Sequence, residues 1–171
     1  VRSHSGLTGG DAKKLAAAAG AEGFVNLLGE KALDAVIYAT AVGECNAAMG
    51  RIVAAPTAGA SGVLPGVFFT LKKHCGLDAA TLQRGMVVAG SIGMVINERA
   101  SLAGAMGGCQ AECGSAAAMA AGAAVSMLGG TPQQVGTAVA VVFKNVLGLV
   151  CDPVAGLVEV PCIKRNGACA L

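Results

Sequence analysis

Residues 114–143 carry no charged side chain. A stretch like that either crosses a membrane or lies inside a protein, and its punctuation decides between the two. Gly129-Gly130, Thr131-Pro132 and Gln133-Gln134 interrupt it, and the apolar part ahead of the break runs only from Ser115 to Leu128. As a helix that part is about 21 Å long, short of a hydrocarbon layer roughly 30 Å thick. It is read as a buried helix, and no membrane partner is expected. A helix of small residues fills space only if its neighbours approach closely, so the expected fold is a set of tightly packed helices.

Composition extends the argument. Apolar residues make up 54% of the 171 and charged residues 13%, with no Trp, one Tyr and four Phe. The length is one domain's worth and long enough for a core. So apolar a chain, standing alone, exposes an unusual amount of apolar surface, which implies contact with a partner or with further parts of its own protein. The net charge of +2 comes from 12 basic and 10 acidic residues, with no basic stripe interleaved with aromatics, so nucleic acid is not an expected ligand. The start, Val1-Arg2-Ser3-His4-Ser5-Gly6, lacks the apolar region of a signal peptide and an initiator Met, and is read as that of a fragment or processed chain. Seven cysteines, an odd and unclustered set, suit a reducing cytoplasm in which thiols are inert core residues or metal ligands.

Local signals predict an all-α fold, a single domain of about six to eight packed helices joined by Gly-rich loops. Ser5-Gly6-Leu7-Thr8-Gly9-Gly10-Asp11 is one such loop, with Asp11 as N-cap of a helix from Ala12. A helix over Lys31 to Met49 follows, then a second loop, Pro56-Thr57-Ala58-Gly59-Ala60-Ser61-Gly62. The next helix has Pro65 in its first turn and Gly76 at its close. Asp78 caps a helix to about Glu98, Ala100 to Gly108 reads as a linker, and Ala111 to Leu128 as a helix. Thr131 with Pro132 starts another, to about Asn145. Alternation suggestive of a strand is confined to Arg51–Ala54 and Leu157–Val160.

Three cysteines stand beside Gly or Pro: Cys109 in Gly107-Gly108-Cys109-Gln110-Ala111-Glu112, Cys151 in Cys151-Asp152-Pro153-Val154-Ala155-Gly156, and Cys162 in Val160-Pro161-Cys162-Ile163. Such positions can leave thiolates partly exposed, and three thiolates on an iron–sulfur cluster leave one iron open to a substrate oxygen. Their spacing is unlike the tight C-x-x-C pairs of zinc ribbons and ferredoxins, so only tertiary folding can assemble them. From spacing alone, inert buried cysteines are the favoured reading, because free Cys is among the most buried residue types.

The motifs around these cysteines, continued by Leu157-Val158 and Arg165-Asn166, resemble the α chain or α domain of the bacterial iron–sulfur-dependent L-serine dehydratases. The two Gly-rich loops share the resemblance, which runs nearly end to end with five motifs in one order. It implies an all-helical fold and conversion of L-serine to pyruvate and ammonia without pyridoxal phosphate. It also implies a [4Fe-4S] cluster whose ligands map onto Cys109, Cys151 and Cys162, and a β subunit or β domain that completes an oligomeric, cytoplasmic enzyme. In the family pattern the chain continues at both ends, so residues 1–171 are expected to be a truncated cluster-binding domain. An open iron suits this chemistry, since hydroxide is a poor leaving group that a Lewis acid assists.

The two loops are the expected cradle of the substrate carboxylate, through Ser5, Thr8, Gly9, Gly10, Thr57, Ala58, Gly59 and Ser61. Backbone N–H groups of such loops bind anions, although tight turns alone also account for the composition. Neither is a P-loop. Cys113 is read as a core thiol, Cys45 and Cys75 as structural, and Cys169 is not equated with the C-terminal cysteine that plugs the open iron in some family members. His4, Lys13 and Glu112 are considered for the catalytic base and none is assigned, while His74 is explained by a helix dipole. Two alternatives remain: a cysteine desulfidase-type lyase using the same cluster, and a non-catalytic metal-binding or apo helical module.

Overall fold

The computed structural model describes residues 1–171 as seven helices and no strand. They are α1 (Asp11–Ala19), α2 (Gly29–Ala47), α3 (Val63–Cys75), α4 (Ala79–Arg99), α5 (Gly104–Met127), α6 (Pro132–Val146) and α7 (Glu159–Cys169). The all-α expectation holds, and both suspected strand segments are absent; an isolated bridge between Val154 and Leu157 is the only β pairing.

The charge-free stretch becomes the centre of the molecule. Helix α5 packs against α3, α4, α6 and α7, while α2 holds α1, α3 and α7. Along α5, residues from Cys113 to Ala120 are all buried, and alanines and glycines let its neighbours close in. A Cβ on Gly122 would lie 2.4 Å from Ile92 Cδ1, and one on Gly85 2.4 Å from Met127 Sδ. Glycine there sets the distance between helices.

Local chemistry fixes several boundaries. Asp78 Oδ1 accepts the Thr81 N–H at 2.8 Å. Thr131 and Gln134 form a reciprocal capping box ahead of Pro132. Gly76, at φ 64°, ends α3 in the left-handed conformation.

Three sequence expectations need correction. Asp11 is the first residue of α1 rather than its cap; Gly10 occupies the cap position, and Glu44 of α2 accepts the Asp11 and Ala12 N–H groups at 2.5 and 3.4 Å. A buried carboxylate from another helix does the capping, helped by the positive end of the dipole. The linker expected over Ala100 to Gly108 is helical from Gly104, against glycine's weak helix propensity, in a turn closed by the Met106 and Gly107 N–H groups on Ala103 O, and the helix kinks at Gly108. His74 is held by a partner and not by a dipole alone: its Nε2 lies 2.5 Å from Asp34 Oδ2, which Lys73 also meets at 2.7 Å.

The expected apolar surface is present. Accessible area is 9110 Å², against about 7,600 Å² for a compact monomer of this mass. Much of the excess is apolar, including Met86, Val87, Met94 and Val95 on α4. By length and composition alone α4 is apolar enough to cross a membrane. The stretch Ser115–Leu128 is instead the buried spine.

Candidate metal and substrate site

Helix α7 is the part to which every motif connects. Glu159, Cys162, Arg165 and Asn166 follow one another at helical spacing, and Glu159, Arg165 and Asn166 are each tied to a different segment.

Glu159, in the first turn, fastens the first loop. The hydroxyls of Ser3 (3.0 Å), Ser5 and Thr8 (3.5 Å) all converge on its Oε1. Lys164, one turn on, pairs with Asp11 at the loop's far end. Asn166, 1% exposed, fastens the second loop: its Oδ1 accepts the Gly62 N–H at 2.7 Å, and its Nδ2 donates to Gly59 O at 2.6 Å and Cys162 O at 2.7 Å. That loop is also bound to α5, where Thr57 Oγ1 donates to Glu112 Oε1 at 2.5 Å. Gly59 is required there, since a Cβ would sit 2.6 Å from Glu112 Oε1.

The thiols come from three elements. Cys109 follows the kink at Gly108 (φ 72°, ψ −167°), where the backbone presses on the segment that carries Cys151. A Cβ on Gly108 would lie 3.0 Å from Leu149 O and 3.4 Å from Cys151 N. Gln110 completes the join: its N–H donates to Leu149 O at 2.9 Å, and its Oε1 accepts the Gly148 N–H at 2.9 Å. Arg165 joins Cys162's helix to the same segment, with Nη1 donating to Val150 O at 2.9 Å and the guanidinium forked onto Asp152 at 2.8 and 3.1 Å.

Cys109 and Cys162 are buried and Cys151 is exposed. Burial pushes the Cys109 thiol up, Arg165 pulls it back, and Cys151 adds to the rise. Burial, then Glu112, Cys109 and Cys151, push Cys162 up to about 12. A metal bound by the three thiols would displace the protons that burial holds on Cys109 and Cys162.

Their sulfurs are not gathered within 4.8 Å of one another; Glu30, Asp34 and His74 form the one group that is. Three sulfurs on a single tetrahedral ion stand about 3.8 Å apart, given a metal–sulfur bond of roughly 2.3 Å. The set as it stands does not suit a single ion, and its soft donors are of the kind that iron–sulfur chemistry uses.

Among the residues expected to hold substrate, the N–H groups of Gly9, Gly10, Thr57, Ala58 and Gly59 have no hydrogen-bond partner. The Ser5 and Thr8 hydroxyls are committed to Glu159, and Ser61 is buried with its hydroxyl unpartnered. Cys113 is a fully buried core thiol, its pKa raised by burial. Cys169 is half-buried and likewise raised by burial; Cys45 lies beneath Gly50, and Cys75 is exposed. Glu44, Glu159 and the role of Asn166 escaped the sequence reading. Glu44, set among Val42, Gly43 and Cys45, carries one signal, a polar residue among apolar neighbours; Asn166, after Lys164 and Arg165, carries none.

Two glycine-rich loops and three thiol-bearing segments, tied together around one short helix, define an all-helical domain. The chain belongs to the family described as serine dehydratase alpha chain, which it matches over residues 1–171. It is 54% identical over 166 residues (97% of this chain, 55% of the relative) to the probable L-serine dehydratase, alpha chain, of Bacillus subtilis (strain 168). It is 50% identical over 143 residues (84% and 49%) to the L-serine dehydratase, alpha chain, of Peptoniphilus asaccharolyticus. To L-serine dehydratase TdcG of Escherichia coli (strain K12) it is 46% identical over 131 residues, 76% of this chain and 29% of that protein. The chain thus spans about half the length, or less, of these curated relatives.

Proposed function

We propose that this chain is the cluster-binding part of an L-serine dehydratase, which turns L-serine into pyruvate and ammonia. The observation that carries the reading is the convergence on α7 of three thiol segments and two glycine-rich loops, in a chain of this family. Cys109, Cys151 and Cys162 would hold a [4Fe-4S] cluster. Bound there, with one iron free of protein sulfur, it supplies Lewis-acid assistance to the departing hydroxide.

The chain's own residues bind and orient the amino acid. Partnerless N–H groups of Gly9, Gly10, Thr57, Ala58 and Gly59 receive the serine carboxylate, as loop amides receive anions elsewhere. Ser5 and Thr8 hold the first loop in shape through Glu159; Thr57 does so for the second through Glu112, and Ser61 sits behind it. Loss of the α-proton and hydroxide from serine leaves an enamine, which water hydrolyses to pyruvate and ammonia. No residue of this chain is assigned as the proton acceptor. A β subunit or domain completes the enzyme, covers the exposed apolar surface and makes it an oligomer in the reducing cytoplasm.

The test is anaerobic purification of the chain with its β partner, followed by iron and sulfide analysis and a pyruvate assay with L-serine. Bound iron and sulfide with pyruvate release support the reading. Colourless, iron-free protein, or protein that releases sulfide from L-cysteine and no pyruvate from serine, counts against it.

A further inference from the structure

Of the three thiol segments, the one bearing Cys151 is the least supported by the rest of the fold. Residues 151–158 are all exposed. Gln110 anchors the chain at 148–149, and the next backbone bonds are the turn between Val154 and Leu157. Between these points, residues 150–153 make hydrogen bonds to one side chain only, that of Arg165. The carbonyl just before Cys151 and the carboxylate just after it are both in the grip of that guanidinium.

We propose that Arg165 is the positioning residue for Cys151, a clasp from α7 that holds the exposed arm so that its thiol is presented toward Cys109 and Cys162. The fork is bidentate on Asp152 and has a further donor on Val150 O, a geometry that a lysine ammonium cannot reproduce. Arg165 is one-fifth exposed and Asp152 about half, so the clasp can open without unfolding the helices behind it. The consequence for metal binding rests on the function proposed above; the clasp itself does not.

The experiment uses the full chain and the variants Arg165→Lys, Asp152→Asn and the double variant. Asp152 is exposed, so its replacement disturbs no core if the Arg165 change should impair folding. Thermolysin cleavage within 149–158 of the metal-free protein reads the arm. It should be about tenfold faster in each single variant and no faster still in the double, with far-UV circular dichroism unchanged. After anaerobic reconstitution with iron and sulfide, Arg165→Lys should retain less than half the parent's iron. Cleavage at the parent's rate in both single variants, or additive effects in the double, overturns the clasp. If the parent binds iron and Arg165→Lys binds it equally, the clasp fails and the cluster reading stands. If the parent binds no iron while cleavage behaves as expected, the clasp stands and the cluster reading fails.

Discussion

Replacing Asn166 with alanine should remove a large part of this protein's stability, although the residue belongs to no hydrophobic core. Its side chain is 1% exposed and makes three hydrogen bonds. The Gly62 N–H loses its only acceptor in a buried place. A buried donor left that way costs about 1–3 kcal/mol. The Gly59 carbonyl loses a donor worth about 0.5–1.5 kcal/mol. The Cys162 carbonyl keeps its helical partner, and the truncated side chain leaves a small void. The total is about 3–5 kcal/mol, a fifth or more of the 5–15 kcal/mol typical of a whole domain. Urea unfolding followed by circular dichroism measures it as a lower midpoint at unchanged slope. Asn166→Asp should be no milder near neutral pH, because it sets a buried carboxylate against two carbonyl oxygens. A loss below about 1 kcal/mol for Asn166→Ala would refute the role given to this residue.

Other outcomes follow from the same geometry. Gly108→Ala forces a side chain into a left-handed conformation and against Leu149 O; it should cost about 1–3 kcal/mol in urea unfolding and lower the iron retained after reconstitution. Cys151→Ser should abolish iron and sulfide binding while Cys45→Ser leaves it intact; equal loss in both would count against the ligand set. At Asp34, burial is the largest influence and pushes the carboxyl up, but hydrogen bonds from Lys73 and His74 outweigh it and hold the pKa below the ordinary 3.8. The stability this contributes is complete above pH 3.8 and is lost as pH falls through the lower folded value. Asp34→Asn should therefore flatten the acid limb of a stability–pH curve below about pH 4; an unchanged limb would contradict the pairing.

What the sequence made legible was whatever its near neighbours decide. Asp78 caps α4 and Thr131-Pro132 starts α6 because the groups involved lie within one turn of each other. Cys113 reads as core from the small apolar residues around it. Most failures are at long range. Asp11 has the right character for a cap, but the group that caps α1 is Glu44, thirty-three positions away. Gly104–Gly108 has the composition of a linker, yet it forms a helical turn ahead of the kink. Asn166 is separated by more than a hundred positions from the loop it holds, so no spacing rule points to it. The thiol segments were legible as candidates through resemblance; the side chains that bring them together, Gln110 and Arg165, became visible only in the fold.

The most direct trial of the central claim is iron and acid-labile sulfide analysis of anaerobically purified protein and of its Cys109→Ser, Cys151→Ser and Cys162→Ser variants. The account predicts equal amounts of iron and sulfide in the parent and their loss in all three variants, each still helical by circular dichroism. Full iron retained by any one of the three, or a metal-free parent that still makes pyruvate from L-serine with its partner, would contradict it.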